Sequence, residues 1–79
     1  MPKESAYFKL QEMADQSDVK RIKNGINIIP GVTSVSVNAH DSRVAVDFDN
    51  SGVSHERIEH RLESLGYHIT AEGGEEHIM

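Results

Sequence analysis

The sequence predicts an α+β fold in which two helices lie on one face of a four-stranded antiparallel sheet. Three observations carry that prediction. Two segments repeat apolar residues every three or four positions, Val19-Ile22-Ile26-Ile29 and Ile58-Leu62-Leu65, the spacing of a helix with a single apolar stripe. Around them, shorter segments alternate apolar and polar residues, the period of a half-buried strand. A chain of 79 residues holds one core, so both stripes have to close on the same apolar surface, which the strands supply.

The first strand is expected over Ala6 to Met13, with Phe8 and Leu10 on one face and Tyr7, Lys9 and Gln11 on the other; residues 1 to 5 read as a flexible N-terminus. The first helix starts at Asp18 and ends at Pro30-Gly31. Gly25 is its discordant residue, costing about 1 kcal/mol relative to alanine. Val35, Val37 and Ala39 alternate with polar neighbours and, after His40-Asp41-Ser42, the alternation resumes as Val44, Val46 and Phe48, which predicts a hairpin. Asp49-Asn50-Ser51-Gly52 breaks the chain. Ser54 is an N-cap for the second helix, with Val53 placed to staple onto Ile58, and Gly66 ends it. Tyr67 to Thr70 is a last short strand with Ile69 inward, and residues 71 to 79 read as a flexible tail. The domain therefore spans 6 to 70 as βαββαβ, a ferredoxin-like sandwich. In that arrangement the loop after the first strand and the loop before the last lie at one end, which puts Met13 to Asp18 beside Gly66-Tyr67.

Composition narrows the function. With no cysteine the chain has no disulfide, thiolate nucleophile or thiolate ligand. Thirteen Asp and Glu against eight Lys and Arg give a net charge of −5, which repels nucleic acid. No apolar run is long enough for a membrane span or a signal peptide, so no membrane contact and a cytoplasmic location are expected. An RNA-binding sheet of this topology needs several outward aromatics, and Tyr7 is the one suitable residue. An anion-cradling enzyme of this fold needs a glycine- and arginine-bearing loop after the first strand; the loop here is acidic. No nucleophile and base are paired, so a non-enzymatic role is expected.

The frame Met13, Val19, Ile22, Ile26, Ile29-Pro30-Gly31-Val32, Val35, Val37-Asn38, continued by Val44, Val46, Phe48-Asp49, Val53-Ser54, Ile58 and Leu65-Gly66-Tyr67, resembles the heavy-metal-associated domains of copper chaperones and of the N-terminal regions of P-type metal-transporting ATPases. The resemblance covers roughly residues 6 to 70. It implies a site at the start of the first helix, where the family's Met-x-Cys-x-x-Cys motif holds a soft ion such as Cu(I) between two thiolates. Counted back from Pro30, those two positions are Asp15 and Asp18 here. It also implies that Met13 props the loop from the core, that Tyr67 packs beneath it, and that the loop faces a protein partner of the metal-transport type, an ATPase domain or a chaperone, through Gln16, Ser17 and Tyr67.

Carboxylates are hard ligands that suit Zn²⁺, Mg²⁺ or Ca²⁺ rather than Cu(I). Two are too few for a tight site. His68 is the one nearby candidate for a third, and the affinity expected is on the order of millimolar. Asp15, Ser17 and Asp18 also fit helix capping, where side-chain oxygens satisfy the first N–H groups and negative charge meets the helix dipole. Tyr67 reads as a partly buried aromatic with its hydroxyl in water. Lys20, Arg21 and Lys23 form the basic patch, a solvated helix face that could meet an acidic partner. His40, His55, His60, His68 and His77 are scattered over a turn, a helix, a strand and the tail, with no convergence. The expectation is a metal-trafficking-type domain, freestanding or the N-terminal part of an ATPase, that has lost thiolate ligation and docks or regulates. The alternatives are a weak binder of a harder divalent ion, and an interaction module unrelated to metals.

Overall fold

Alternation and helical spacing meet in one core, to which β1 gives Ala6, Phe8 and Leu10, β3 gives Val44, Val46 and Phe48, the helices give Ile22, Ile26, Ile58 and Leu62, and the turns beside them give Ile29 and Val53. The computed structural model describes residues 3–11 and 16–75. Among them the elements run β1 (Lys3–Leu10), α1 (Gln16–Asn27), β2 (Val32–Asn38), β3 (Arg43–Asp49), α2 (His55–Ser64) and β4 (Ile69–Glu75). The sheet order is β2-β3-β1-β4, with every neighbouring pair antiparallel. Both helices cover one face, as the two apolar stripes require.

Several boundaries differ from the sequence reading, among them the end of α1 at Asn27 and the start of β4 at Ile69. β1 starts at Lys3, inside the segment read as a flexible N-terminus, because polar side chains find partners there: Ser5 donates to Asp47 Oδ1 at 2.6 Å and Asn50 donates to Glu4 Oε2 at 2.9 Å. It ends at Leu10, and Met13 lies outside the described residues. α1 begins at Gln16, two residues before Asp18. β4 runs through residues 71 to 75, which were expected in the tail. Antiparallel pairing with β1 from Leu10 back to Ser5 holds them, an interaction of backbone groups that leaves no apolar alternation to read. Residues 76 to 79 of the expected tail lie outside the described residues.

Gly25 is where the two helices touch. A Cβ there would stand 2.8 Å from Leu65 Cδ1, so the missing side chain lets the helices approach. Its carbonyl accepts from Arg61 Nε at 3.1 Å. The last turn of α1 carries no basic residue of its own, and Arg61 places positive charge at that negative end from the other helix. Gly31 turns the chain into β2 with φ +103, and a Cβ would meet Val53 Cγ1 at 3.0 Å; glycine alone takes that conformation without strain. At the start of α2, Ser54 is extended (φ −108, ψ 161) and its hydroxyl accepts from the Arg57 N–H at 3.2 Å. Val53 and Ile58 are both buried on either side of that cap, as the staple requires.

Among the described residues, no helix packs on the other sheet face. Register places Lys9 opposite Arg43, Tyr7 opposite Ala45 and Ser5 opposite Asp47. Asp47 accepts from Ser5 on one side and from Ser34 Oγ at 2.9 Å on the other, a tie across three strands that holds its carboxyl below its ordinary pKa.

Candidate functional site

The strand order brings the end of β1, the start of α1, the β2–β3 turn and the approach to β4 to one end of the sandwich. Backbone bonds fix the placement: Gln11 N donates to His68 O and Leu10 N donates to Ser42 O, both at 2.8 Å. Ser42 has φ 53, the left-handed conformation that lets this tight turn present its carbonyl to β1.

Tyr67 enters from the turn after α2 and donates its hydroxyl to Asp18 Oδ1 at 2.6 Å. This hydroxyl was expected in water. It meets instead the carboxylate in the first turn of α1, because Gly66, with φ +102, folds the chain back towards that turn. Burial first, then the hydrogen bond to Asp18 and the charge of Asp18, push the Tyr67 pKa up, and Arg21 one turn further along α1 opposes them. A phenol flanked by a carboxylate and a guanidinium stays protonated at neutral pH and acts as a donor. Asp18 is partly buried, while Gln16 and Ser17 are exposed on the same turn. Asp15 lies outside the described residues.

The structure therefore brings together Asp18, Tyr67 and Arg21, and leaves Gln16 and Ser17 facing outward beside them. Sequence reasoning gave Arg21 only to a basic helix face. Its i, i+3 spacing from Asp18 was the available signal that it could serve the same site.

Among the described residues, no group of three or more His, Asp or Glu side chains is arranged to hold a metal ion. His40, His60 and His68 are exposed, and His77 lies outside the described residues. His55 departs from the scattered, solvated pattern expected of the histidines. Its Nε2 is 2.8 Å from Glu72 Oε1 and its ring centroid 5.1 Å from that of Phe8. Glu59 shares a hydrogen bond with Glu72, which raises the Glu59 pKa. That cluster lies between α2 and β4.

A family model, the heavy-metal-associated domain, matches residues 7–68. The chain belongs to the heavy-metal-associated domain family. Solved members share the fold closely. The N-terminal domain of a potential copper-translocating P-type ATPase from Bacillus subtilis, in its Cu(I)-loaded state, is 26% identical, covers 98% of this chain and 96% of its own, and superposes with a TM-score of 0.83. The CopZ metallochaperone is 26% identical over 84% of this chain and 98% of its own, with a TM-score of 0.80. A copper-binding domain from HMA7, a P-type ATPase, is 26% identical over 91% and 97%, with a TM-score of 0.76. No curated protein is similar enough to match. With no cysteine the chain offers no thiolate to a soft cation, and Asp18, whose carboxylate is a hard ligand, is bonded to Tyr67. Among the described residues, no helix is long and apolar enough to cross a membrane.

Proposed function

We propose that this chain is a non-enzymatic, cytoplasmic domain of the metal-trafficking type that has given up thiolate ligation and keeps the docking surface of its family, as a freestanding protein or as the N-terminal part of a transporting ATPase. One observation carries the proposal: the Tyr67 hydroxyl bonded to Asp18 at 2.6 Å. Asp18 stands at one of the two positions that correspond to the family's cysteines. A side chain tied there to the neighbouring loop holds the end of the domain in shape without an ion bridging it. Gln16, Ser17 and Tyr67 then face a chaperone or an ATPase domain as a fixed polar pattern, which sets specificity and encounter rate more than raw affinity.

Amide NMR of the labelled chain tests this, first with Zn²⁺, Mg²⁺ and Cu(I), then with the N-terminal domain of the potential copper-translocating P-type ATPase from Bacillus subtilis. The ions should leave residues 16 to 20 and 66 to 68 unmoved, and the protein domain should shift them. Saturable shifts there with an ion alone would replace the proposal by a carboxylate site for a harder cation, built on Asp15 and Asp18. No shift with the protein domain would remove the docking role. The positional correspondence has its own test. Asp15→Cys combined with Asp18→Cys should raise Cu(I) affinity by several orders of magnitude, since thiolates are the ligands Cu(I) selects; a double variant with unchanged affinity would show that the two positions do not correspond to the cysteines.

A further inference from the structure

The sheet face away from the helices carries two cations that its own fold leaves unpaired among the described residues. Lys9 and Arg43 stand directly opposite each other on β1 and β3. Both are exposed, and among the described residues neither has an ion pair. Two like charges in directly opposed positions are destabilising. Four residues further along β3 from Arg43 stands Asp47, on the same face. Midway between them is the row Ala45–Tyr7. Tyr7 is 45% exposed, and it is flanked by small residues, Ala45 on β3 and Gly73 on β4.

We propose that this face binds a second copy of the chain in a two-fold, face-to-face dimer, with Tyr7 at the axis and Arg43 of each copy against Asp47 of the other. The geometry follows from the register. A two-fold axis lying across the strands through Ala45 and Tyr7 reverses the strand direction. Position 43 of one copy, about 7 Å from the axis at about 3.4 Å per residue, then lies over position 47 of its partner. Two reciprocal ion pairs result, the isologous pattern of a closed dimer. Sheets stack face to face about 10 Å apart, so each Tyr7 ring passes the midplane and needs open floor beside it. Ala45 and Gly73 supply that floor, and the two rings lie side by side in the offset geometry that aromatic pairs favour. Lys9 sits over Ser5 of the partner, near Asp47, so both cations of the unpaired row gain a carboxylate.

Size sets the strength. Four strands about 4.8 Å apart and about seven residues long present roughly 450 Å² per copy, or roughly 900 Å² in all, below the 1,200–2,000 Å² of stable complexes. The dimer is therefore transient and appears at high concentration.

Sedimentation velocity and NMR diffusion of the full chain from about 20 µM to about 1 mM test it. The apparent mass should rise with concentration from 8.8 kDa towards twice that value, and the rise should weaken with added salt. Arg43→Asp and Asp47→Arg should each stay monomeric, because each homodimer would oppose like charges. An equimolar mixture of the two should associate, because both pairs become attractive again. Asp47 also ties Ser5 and Ser34, so Tyr7→Ser, which touches neither the core nor that tie, serves as a second variant and should likewise be monomeric with an unchanged amide spectrum away from the face. A wild type that stays monomeric at the highest concentration overturns the proposal. So does a charge-swapped mixture that associates no better than its components, or association whose shifts fall outside residues 5–9 and 43–47.

Discussion

At the start of α2 the Ser54 hydroxyl accepts from an N–H of its own helix, and the apolar pair Val53 and Ile58 closes over the turn. At the start of α1 a carboxylate of similar reach, Asp18, accepts from Tyr67, 49 residues away. The first start is complete within its own segment, and any sequence carrying that cap and staple would build it. The second includes a bond that forms only when α2 and the turn after it are already in place. A local start serves folding. A long-range one fixes the relative position of two loops, which is what a surface read by a partner requires.

The largest effect on this contrast is expected from Ile58→Ala. Ile58 is fully buried beneath the first turn of α2, and the truncation should cost about 2–5 kcal/mol, visible as a lowered urea midpoint. Tyr67→Phe should cost less, about 1–2 kcal/mol, because the carboxylate it abandons is partly open to water. Its diagnostic reading is in alkali. The folded-state pKa of Tyr67 lies above the ordinary 10.0, so its contribution is full below pH 10 and lost as pH rises through the raised value. The phenylalanine variant should lack that alkaline loss, and an unchanged alkaline limb would mean that Tyr67 does not cause it. Ser54→Ala follows at about 1 kcal/mol, the ordinary worth of an N-cap, with amide exchange speeding first at residues 55 to 57. The smallest effect is expected from Glu59→Gln. The wild-type carboxyl has a raised pKa in the fold. Its stabilising contribution is present below pH 4.5 and fades as pH rises through the raised value. The variant should flatten that part of the stability–pH curve and be slightly more stable at neutral pH; equal slopes for the two proteins would contradict the contact with Glu72.

Much of the fold was legible because it is written in short-range patterns. Phe8, Leu10, Val44, Val46 and Phe48 alternate, and Ile22, Ile26, Ile29, Ile58 and Leu62 keep helical spacing; all ten are buried. Ser54 signalled its cap and Pro30-Gly31 the turn into β2. What escaped depends on partners distant in sequence. Gly25 read as a flaw until Leu65 was seen against it. Residues 71 to 75 include two glycines and two glutamates, poor strand formers, and pair only because β1 offers them an edge. Register also kept Glu72 on the helix side, where His55 and Glu59 meet it. At the candidate site, the sequence placed Asp18 and Tyr67 at one end of the molecule. It could not show that Asp18 and Tyr67 bond to each other, since no local pattern links positions in different loops.

The bond from Arg61 to the Gly25 carbonyl bears on how the molecule opens. Helix ends fray first in most proteins, and amide protection there is low. Here the last turn of α1 is closed by a side chain of α2, so loosening α2 also releases the end of α1. The two helices should therefore exchange their amide protons as one cooperative unit, with α1 protected no longer than α2 even though α1 is the longer helix. A disturbance arriving at either helix is in this way shared by both.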